Sequence, residues 1–204
     1  MTLHRLVLAR HGRTTWNAES RMQGRLDPDL DDEGRAQALA AAPLLADYDP
    51  ALLVASDQVR AWRTAEAVAK ESGLVPRPEP RLRETSLGDW EGLTGSEVEA
   101  GWPGGLAAWG TDPGWAPPGG ESRVEVARRA VPVLDELAEE LAGTDEALTA
   151  MVVAHGGTIS ALTASTLGWP VEAWHSLQPL RNCAWAVLEH RFDRWRLRGW
   201  GLGA

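Results

Sequence analysis

Several residue types are almost missing from this 204-residue sequence. Cys183 is the only cysteine, which excludes an intrachain disulfide and a cysteine-based zinc site. Lys70 is the only lysine, so the remaining 19 of the 20 basic side chains are arginines. Together with abundant Ala and Gly, that skew reflects compositional bias as much as function. Phe192 and Tyr48 stand alone among 11 tryptophans, so tryptophan carries the aromatic share of the core. No apolar run approaches the length of a membrane span. The opening apolar run reaches Arg10 too soon for a signal peptide, and the expectation is a cytoplasmic protein. Negative charge dominates, at a formal net −9, which argues against a nucleic-acid-binding or anionic-membrane surface. One absence is local: residues 84–122 contain no Lys or Arg.

What is present is ordinary for a globular domain, with 44% apolar and 24% charged residues. The length suits a single domain over residues 1–204. Three short apolar runs read as strands buried on both faces: 3–9, 51–55 and 149–154. Each is followed by a helical stretch: Asp31 to Ala46 after a loop over residues 16–30, Asp57 to Ser72, and the residues after His155 up to about Leu167. Ser56 reads as an N-cap and Gly73 as a helix stop. Pro43 predicts an early end or a kink in the first helix. Pro76, Pro78 and Pro80 make residues 75–80 an extended connector. A covering insertion at about 85–121, rich in Gly, Pro and Trp, is expected to hold short helices near 95–100 and 104–110. Segments of this length inside compact domains are commonly functional lids. Ser122 with Glu125 opens a further helix to about Ala142, interrupted at Pro132. Residues 183–190 and 194–200 read as a closing hairpin turning near 191–193.

The three strand-like runs all end in polar residues: Arg10-His11-Gly12, then Ser56-Asp57 with Arg60 one turn on, then His155-Gly156. Ligands of open α/β sheets bind at the carboxyl ends of strands. If these strands are parallel neighbours, two imidazoles and two guanidiniums meet on one rim, an arrangement that repels itself unless an anion joins it. Arginine suits bidentate phosphate recognition, and the glycines and helix N-termini beside it supply close backbone N–H donors. Residues 1–25 also hold five arginines against the single acid Glu19. The chemistry implied is phosphate handling.

Arg10-His11-Gly12-Arg13-Thr14-Thr15-Trp16-Asn17 resembles the signature of the histidine phosphatase superfamily, in its phosphoglycerate-mutase-like branch. So do Ser56-Asp57-Gln58-Val59-Arg60-Ala61, Leu82-Arg83-Glu84 with Gly88-Asp89-Trp90-Glu91-Gly92, and Val153-Ala154-His155-Gly156-Gly157. They stand in the family's order and cover residues 3 to about 165. Arg21-Met22-Gln23-Gly24, Arg81 to Trp90 and Trp115 to Arg123 are similar, within that family, to bacterial glucosyl-3-phosphoglycerate phosphatases. The resemblance implies a three-layer α/β/α sandwich with a mostly parallel central sheet and an antiparallel edge strand. It implies His11 as a nucleophile that becomes phosphorylated, which splits one hard displacement into two. Arg10, Arg60 and His155 would hold the phosphoryl oxygens in transfer. Glu84 would protonate the leaving oxygen and then activate water, with Asp89 and Glu91 near enough in sequence to compete for that role. Asn17, Gln23, Gly24 and Gly156 would complete the phosphate cradle. No cluster of acids and histidines suggests a metal, and no cofactor is expected.

The resulting expectation is a metal-independent phosphatase acting on a small phosphorylated metabolite, glucosyl-3-phosphoglycerate or a broad range of phosphomonoesters. A phosphoglycerate mutase is one alternative. The family's mutases carry a longer insertion with basic residues that hold a second anion. They also carry a tyrosine near the acid, where this chain reads Thr85-Ser86-Leu87. A non-catalytic phosphate-binding protein on the same fold is the other alternative. Neither nucleic acid nor membrane is expected as a partner, and a homodimer is implied by the resemblance alone. Trp102, Trp109 and Trp115 either stack on a sugar-like leaving group or merely pack the lid down. His4, His175 and His190 have no motif context and are expected to be structural or exposed.

Overall fold

In the computed structural model, which describes residues 3–143 and 146–203, one six-stranded sheet runs through the centre. Its strands are β1 (Leu3–Arg10), β2 (Pro50–Ala55), β3 (Arg77–Pro78), β4 (Leu148–Ala154), β5 (Trp185–Arg191) and β6 (Arg194–Leu202), in the order β3-β2-β4-β1-β5-β6. The first four of that order are mutually parallel. β5 runs antiparallel to β1 and β6 antiparallel to β5, so two strands rather than one form the antiparallel side. The helices are α1 (Thr15–Ala18), α2 (Asp32–Ala46), α3 (Val59–Ser72), α4 (Gly95–Gly101), α5 (Gly105–Thr111), α6 (Arg123–Glu140) and α7 (Gly156–Thr166).

Alternation along the central strand builds the layers. Leu6 and Leu8 of β1 join one core with Val133, Leu134 and Leu137 of α6 and Ile159 and Leu162 of α7. Val7 and Ala9, pointing the other way, join a second core with Ala38 and Ala41 of α2 and Ala61, Ala65 and Val68 of α3. The two-residue period of an extended chain thus makes a sheet with helices on both faces.

Several local expectations change in the folded chain. The residue capping α3 is Gln58, not Ser56, and it makes no side-chain cap. Instead Asp27 supplies the carboxylate, accepting from the Val59 N–H at 2.9 Å. Sequence separation hides a cap delivered from so far away, and Ser56 Oγ instead accepts from the Gln58 N–H at 3.3 Å. A short helix, α1, begins at Thr15 and overlaps the expected loop, opened by a capping box between Thr14 and Asn17. The proline-rich connector contributes β3 as a two-residue edge strand.

α2 runs past Pro43 to Ala46, and α6 runs unbroken through Pro132. An interior proline costs a helix about 3 kcal/mol. Burying Val133, Leu134 and Leu137 beyond it returns roughly 1.5–3 kcal/mol each, so packing outweighs the lost hydrogen bond. At the β5–β6 turn, Phe192 and Asp193 both take positive φ, 53° and 57°, the backbone of a two-residue hairpin.

Candidate active site

Strand register decides which side chains meet. Arg10 pairs with Ala154 across β1 and β4, and the His11 N–H donates to the Ala154 carbonyl at 3.0 Å. Residues 11 and 155 therefore leave the sheet side by side, with ring centroids 5.1 Å apart. The Ser56 N–H donates to the Val153 carbonyl, which brings Ser56 to the same rim. There its Oγ lies 2.8 Å from His155 Nε2. Gly12 is required by close approach: a Cβ would lie 2.4 Å from the Gly34 carbonyl oxygen.

His11 Nδ1 lies 2.7 Å from the Gly12 carbonyl oxygen. A carbonyl only accepts, so Nδ1 carries the proton and Nε2 keeps its lone pair. Both rings are buried. Burial first, then the Arg60 and Arg10 guanidiniums, push His11 well below the ordinary histidine value, and burial followed by Arg60 does the same for His155. His11 is thus a neutral imidazole at neutral pH. Cys183, the other intrinsically nucleophilic side chain nearby, is pushed up to about 12 by burial and remains a thiol.

Arg60, fully buried on the first turn of α3, donates to the carbonyls of Leu26 (2.9 Å) and Gly24 (3.0 Å). It thereby holds the 24–27 loop against the rim. Thr64, one turn on, accepts from the Gly12 N–H (3.0 Å) and donates to the Arg60 carbonyl (2.8 Å). Gly24 takes φ +50°, and a Cβ there would meet the Glu91 carboxylate at 2.3 Å.

Among the described residues, buried side-chain polar atoms without a hydrogen-bond partner include Arg10 Nε, Arg60 Nε, His155 Nδ1 and Gln23 Oε1. Buried polar atoms are ordinarily paired. The three unpaired potential donors, Arg10 Nε, Arg60 Nε and His155 Nδ1, suit an oxyanion, whereas Gln23 Oε1 is an acceptor and does not.

Arg10, His11, Asn17, Gln23, Gly24, Arg60 and Glu84 line one cavity of about 190 Å³. His155 sits against His11. Gly156 lines an adjoining cavity instead, beside the Arg10 guanidinium, which lies 3.6 Å from where a Cβ would be. A larger open cleft of about 690 Å³ touches Arg10 and Asn17 from the α2 side. It reaches neither histidine, so size does not mark the chemistry here.

The three acids separate cleanly. Glu84 borders the cavity, its Oε1 accepting from the N–H groups of Thr85 (2.8 Å) and Thr158 (3.1 Å) and its Oε2 from Gly157 (3.2 Å). Glu91 lines neither cavity, and its carboxylate accepts from the N–H groups of Arg25 and Leu87. Asp89 is exposed and lines neither cavity.

Four further residues wire the site and were not singled out as functional from the sequence. Gln58 accepts from the Glu84 N–H (2.7 Å) and donates to the Gly24 carbonyl (3.1 Å), joining acid and phosphate loop. Asn182 donates to the His11 carbonyl and to Asn17 Oδ1, both at 3.1 Å. Arg129 donates to the Glu84 carbonyl (3.1 Å) and pairs with Glu121 (2.9 Å). Glu121 also accepts from the Ser86 N–H and from Arg25. Burial opposes its charge, but Arg129, the Ser86 N–H and Arg25 together hold it at about 2.

The covering segment forms its own apolar cluster. Trp90 is completely buried, with Trp115, Trp109 and Trp102 at centroid distances of 5.4, 6.2 and 6.4 Å. Trp102 and Trp115 pack the lid, whereas Trp109 also lines both cavities.

The family model of the histidine phosphatase superfamily (branch 1) matches residues 6–203. A glucosyl-3-phosphoglycerate phosphatase of Mycolicibacterium vanbaalenii is 48% identical, covering 100% of this chain and 97% of its own. A probable phosphoglycerate mutase of Erwinia tasmaniensis is 34% identical over 96% of this chain and 89% of its own. Among solved structures, a mycobacterial glucosyl-3-phosphoglycerate phosphatase in complex with VO3 superimposes with a TM-score of 0.93 at 47% identity, covering 97% of this chain and 98% of that one.

Proposed function

We propose, for a chain that belongs to the histidine phosphatase superfamily and is a phosphoric monoester hydrolase, that His11 carries the phosphoryl group between substrate and water. The observation behind this reading is the state of His11. Its Nδ1 is committed to the Gly12 carbonyl, its Nε2 is free, and unpaired guanidinium N–H groups stand around it.

His11 Nε2 attacks phosphorus in line, forming an N–P bond while the ester P–O bond breaks. Arg10, Arg60 and His155, joined by Asn17, Gln23 and the Gly24 turn, receive the charge that develops on the phosphoryl oxygens. Asn17 Oδ1 is taken by Thr14 and Asn182, so its contribution is the amide N–H side. Glu84 gives its proton to the departing alcohol oxygen. It then takes a proton from the water that attacks the phosphohistidine, returning His11 and releasing phosphate.

A glucosyl-3-phosphoglycerate-like metabolite is the favoured substrate, supported by the named activity of the relatives. The mutase reading is weakened by the cation-free 84–122 stretch and by Thr85-Ser86-Leu87 beside the acid. We take the whole chain as a single cytoplasmic domain acting without nucleic acid, in keeping with its net charge of −9. Among the described residues, no helix is long and apolar enough to cross a membrane. A homodimer is part of the same reading and rests on family resemblance.

The test is hydrolysis of p-nitrophenyl phosphate with chelator present, with His11→Ala as control. Turnover by the parent chain and none by the variant is expected. Efficient isomerisation of 3-phosphoglycerate primed with 2,3-bisphosphoglycerate would favour a mutase instead.

A further inference from the structure

The 19 arginines sort into three groups. Most are ion-paired with a carboxylate, from Arg5 with Glu189 to Arg198 with Glu189. Arg128, Arg181, Arg191, Arg194 and Arg196 have no such pair among the described residues and lie exposed in water. Among the described residues, only Arg10 and Arg123 are both withdrawn from solvent and without a carboxylate ion pair. Arg10 belongs to the phosphate rim. Arg123 has not been accounted for.

Arg123 begins α6, one residue beyond the cation-free stretch. Its Nη1 donates to the Trp109 carbonyl at 2.6 Å, and its guanidinium carbon stands 4.9 Å from the centroid of the Trp109 ring. Carbonyl and ring fix the group in place while leaving its charge uncompensated. Burial lowers it from the ordinary arginine value.

The place where it is held matters. Arg123 lines a cavity of about 370 Å³ that also includes Trp174, Gln178 and Ser160. This cavity and the phosphate cavity share Arg10, Glu84, Thr85, Trp109 and Gly157. Glu84 therefore stands at the boundary between two chambers. A proton donor to a leaving oxygen belongs between the phosphoryl group and the group that departs. The second chamber is on the departing side.

We infer that Arg123 is a specificity residue that binds a carboxylate on the alcohol portion of the substrate, with Trp109 as the wall against which the rest of that alcohol packs. The enzyme then selects phosphomonoesters whose leaving alcohol is itself an anion, such as a glycosylated hydroxy acid. A guanidinium fixed on one side has its remaining N–H groups free to engage a carboxylate in fork geometry. The covering segment need supply no cation of its own, because α6 supplies one. This inference rests on the phosphatase reading, and it assigns the second chamber rather than the reacting centre.

The experiment compares kcat/KM for glucosyl-3-phosphoglycerate with kcat/KM for its carboxamide, in the parent chain, in Arg123→Met and in Arg123→Lys. Loss of a paired charge in a half-buried site should make the parent ratio about 10-fold to 100-fold in favour of the acid. The ratio should collapse toward unity in Arg123→Met through KM, and be partly kept in Arg123→Lys. A parent ratio near unity overturns the inference, and so does an Arg123→Met ratio equal to that of the parent. If the Met variant does not fold, the parent and Lys ratios still decide. Failure of the parent chain to hydrolyse even p-nitrophenyl phosphate would count against the phosphatase reading itself, a distinguishable result.

Discussion

At the strand-end rim, His11, His155, Arg10 and Arg60 are held by sheet register and backbone hydrogen bonds, so their polar atoms are fixed before any ligand arrives. In the covering segment, Trp90, Trp102, Trp109 and Trp115 hold one another by aromatic packing, apart from the two main cores. The two regions meet at Glu84, the Glu121–Arg129 pair and Trp109, and along the 21–25 loop, where the Met22 N–H donates to the Leu93 carbonyl, the Gly92 N–H to the Met22 carbonyl and the Arg25 N–H to Glu91. In the proposed account, transfer chemistry depends on the first region and the choice of leaving group on the second. Damage to either should therefore leave a different kinetic trace.

The sharpest way to break this division is at the rim. His11→Ala removes the group that accepts phosphorus and should lower kcat by about a thousandfold or more, measured on a phosphomonoester of either large or small leaving group. Activity retained on either would show that the rim does not act alone. Glu84→Gln keeps shape but removes proton transfer, and should cost about 100-fold to 10,000-fold in kcat. That loss should be smallest for p-nitrophenyl phosphate, whose leaving group needs the proton least. Equal losses on alkyl and aryl esters would contradict the assignment of Glu84 as the acid.

In the lid, Trp90→Ala empties the centre of the tryptophan cluster, a change worth about 3–5 kcal/mol where the surroundings cannot collapse. Because that cluster is separate from the sheet cores, the variant should lose affinity for a bulky substrate while still turning over p-nitrophenyl phosphate. Parallel loss of both activities would merge the two regions into one.

The smallest effects lie in pH. His11 and His155 titrate in the fold well below the ordinary value of 6.5. Above about 6.5 both are neutral whether folded or not. As pH falls below it, the unfolded chain takes up protons the fold refuses, so stability declines. Glu121, held at about 2 against an ordinary 4.5, adds stability that is complete above 4.5 and lost as pH falls toward 2. Urea midpoints from pH 8 to 5 should fall for the parent chain. A midpoint that rises toward pH 5 would contradict the buried neutral histidines.

The rim was legible in the sequence because its logic is local. A buried apolar run followed at once by Arg-His-Gly or His-Gly needs only one strand's worth of residues to be seen. Its wiring was not. Asp27 caps a helix that begins at Val59, Gln58 reaches both Gly24 and Glu84, and Asn182 returns to His11 from the far end of the chain. None of these follows from spacing. The early end expected at Pro43 and the interruption expected at Pro132 do not occur, because helix propensity was set against burial that only the fold creates. The absence of cations in the covering segment was real, but Arg123, just outside it, joins Arg10 in lining the adjoining chamber.

The most direct test follows phosphorus itself. With p-nitrophenyl phosphate, whose leaving group needs little protonation, Glu84→Gln should form the phosphoenzyme faster than it can be hydrolysed, so rapid quenching after substrate addition and peptide mass spectrometry should find the added phosphoryl group on His11. An acid-labile, base-stable modification at that residue is the result expected. Phosphorus on any other side chain, or catalysis undiminished when His11 is replaced, would contradict the account.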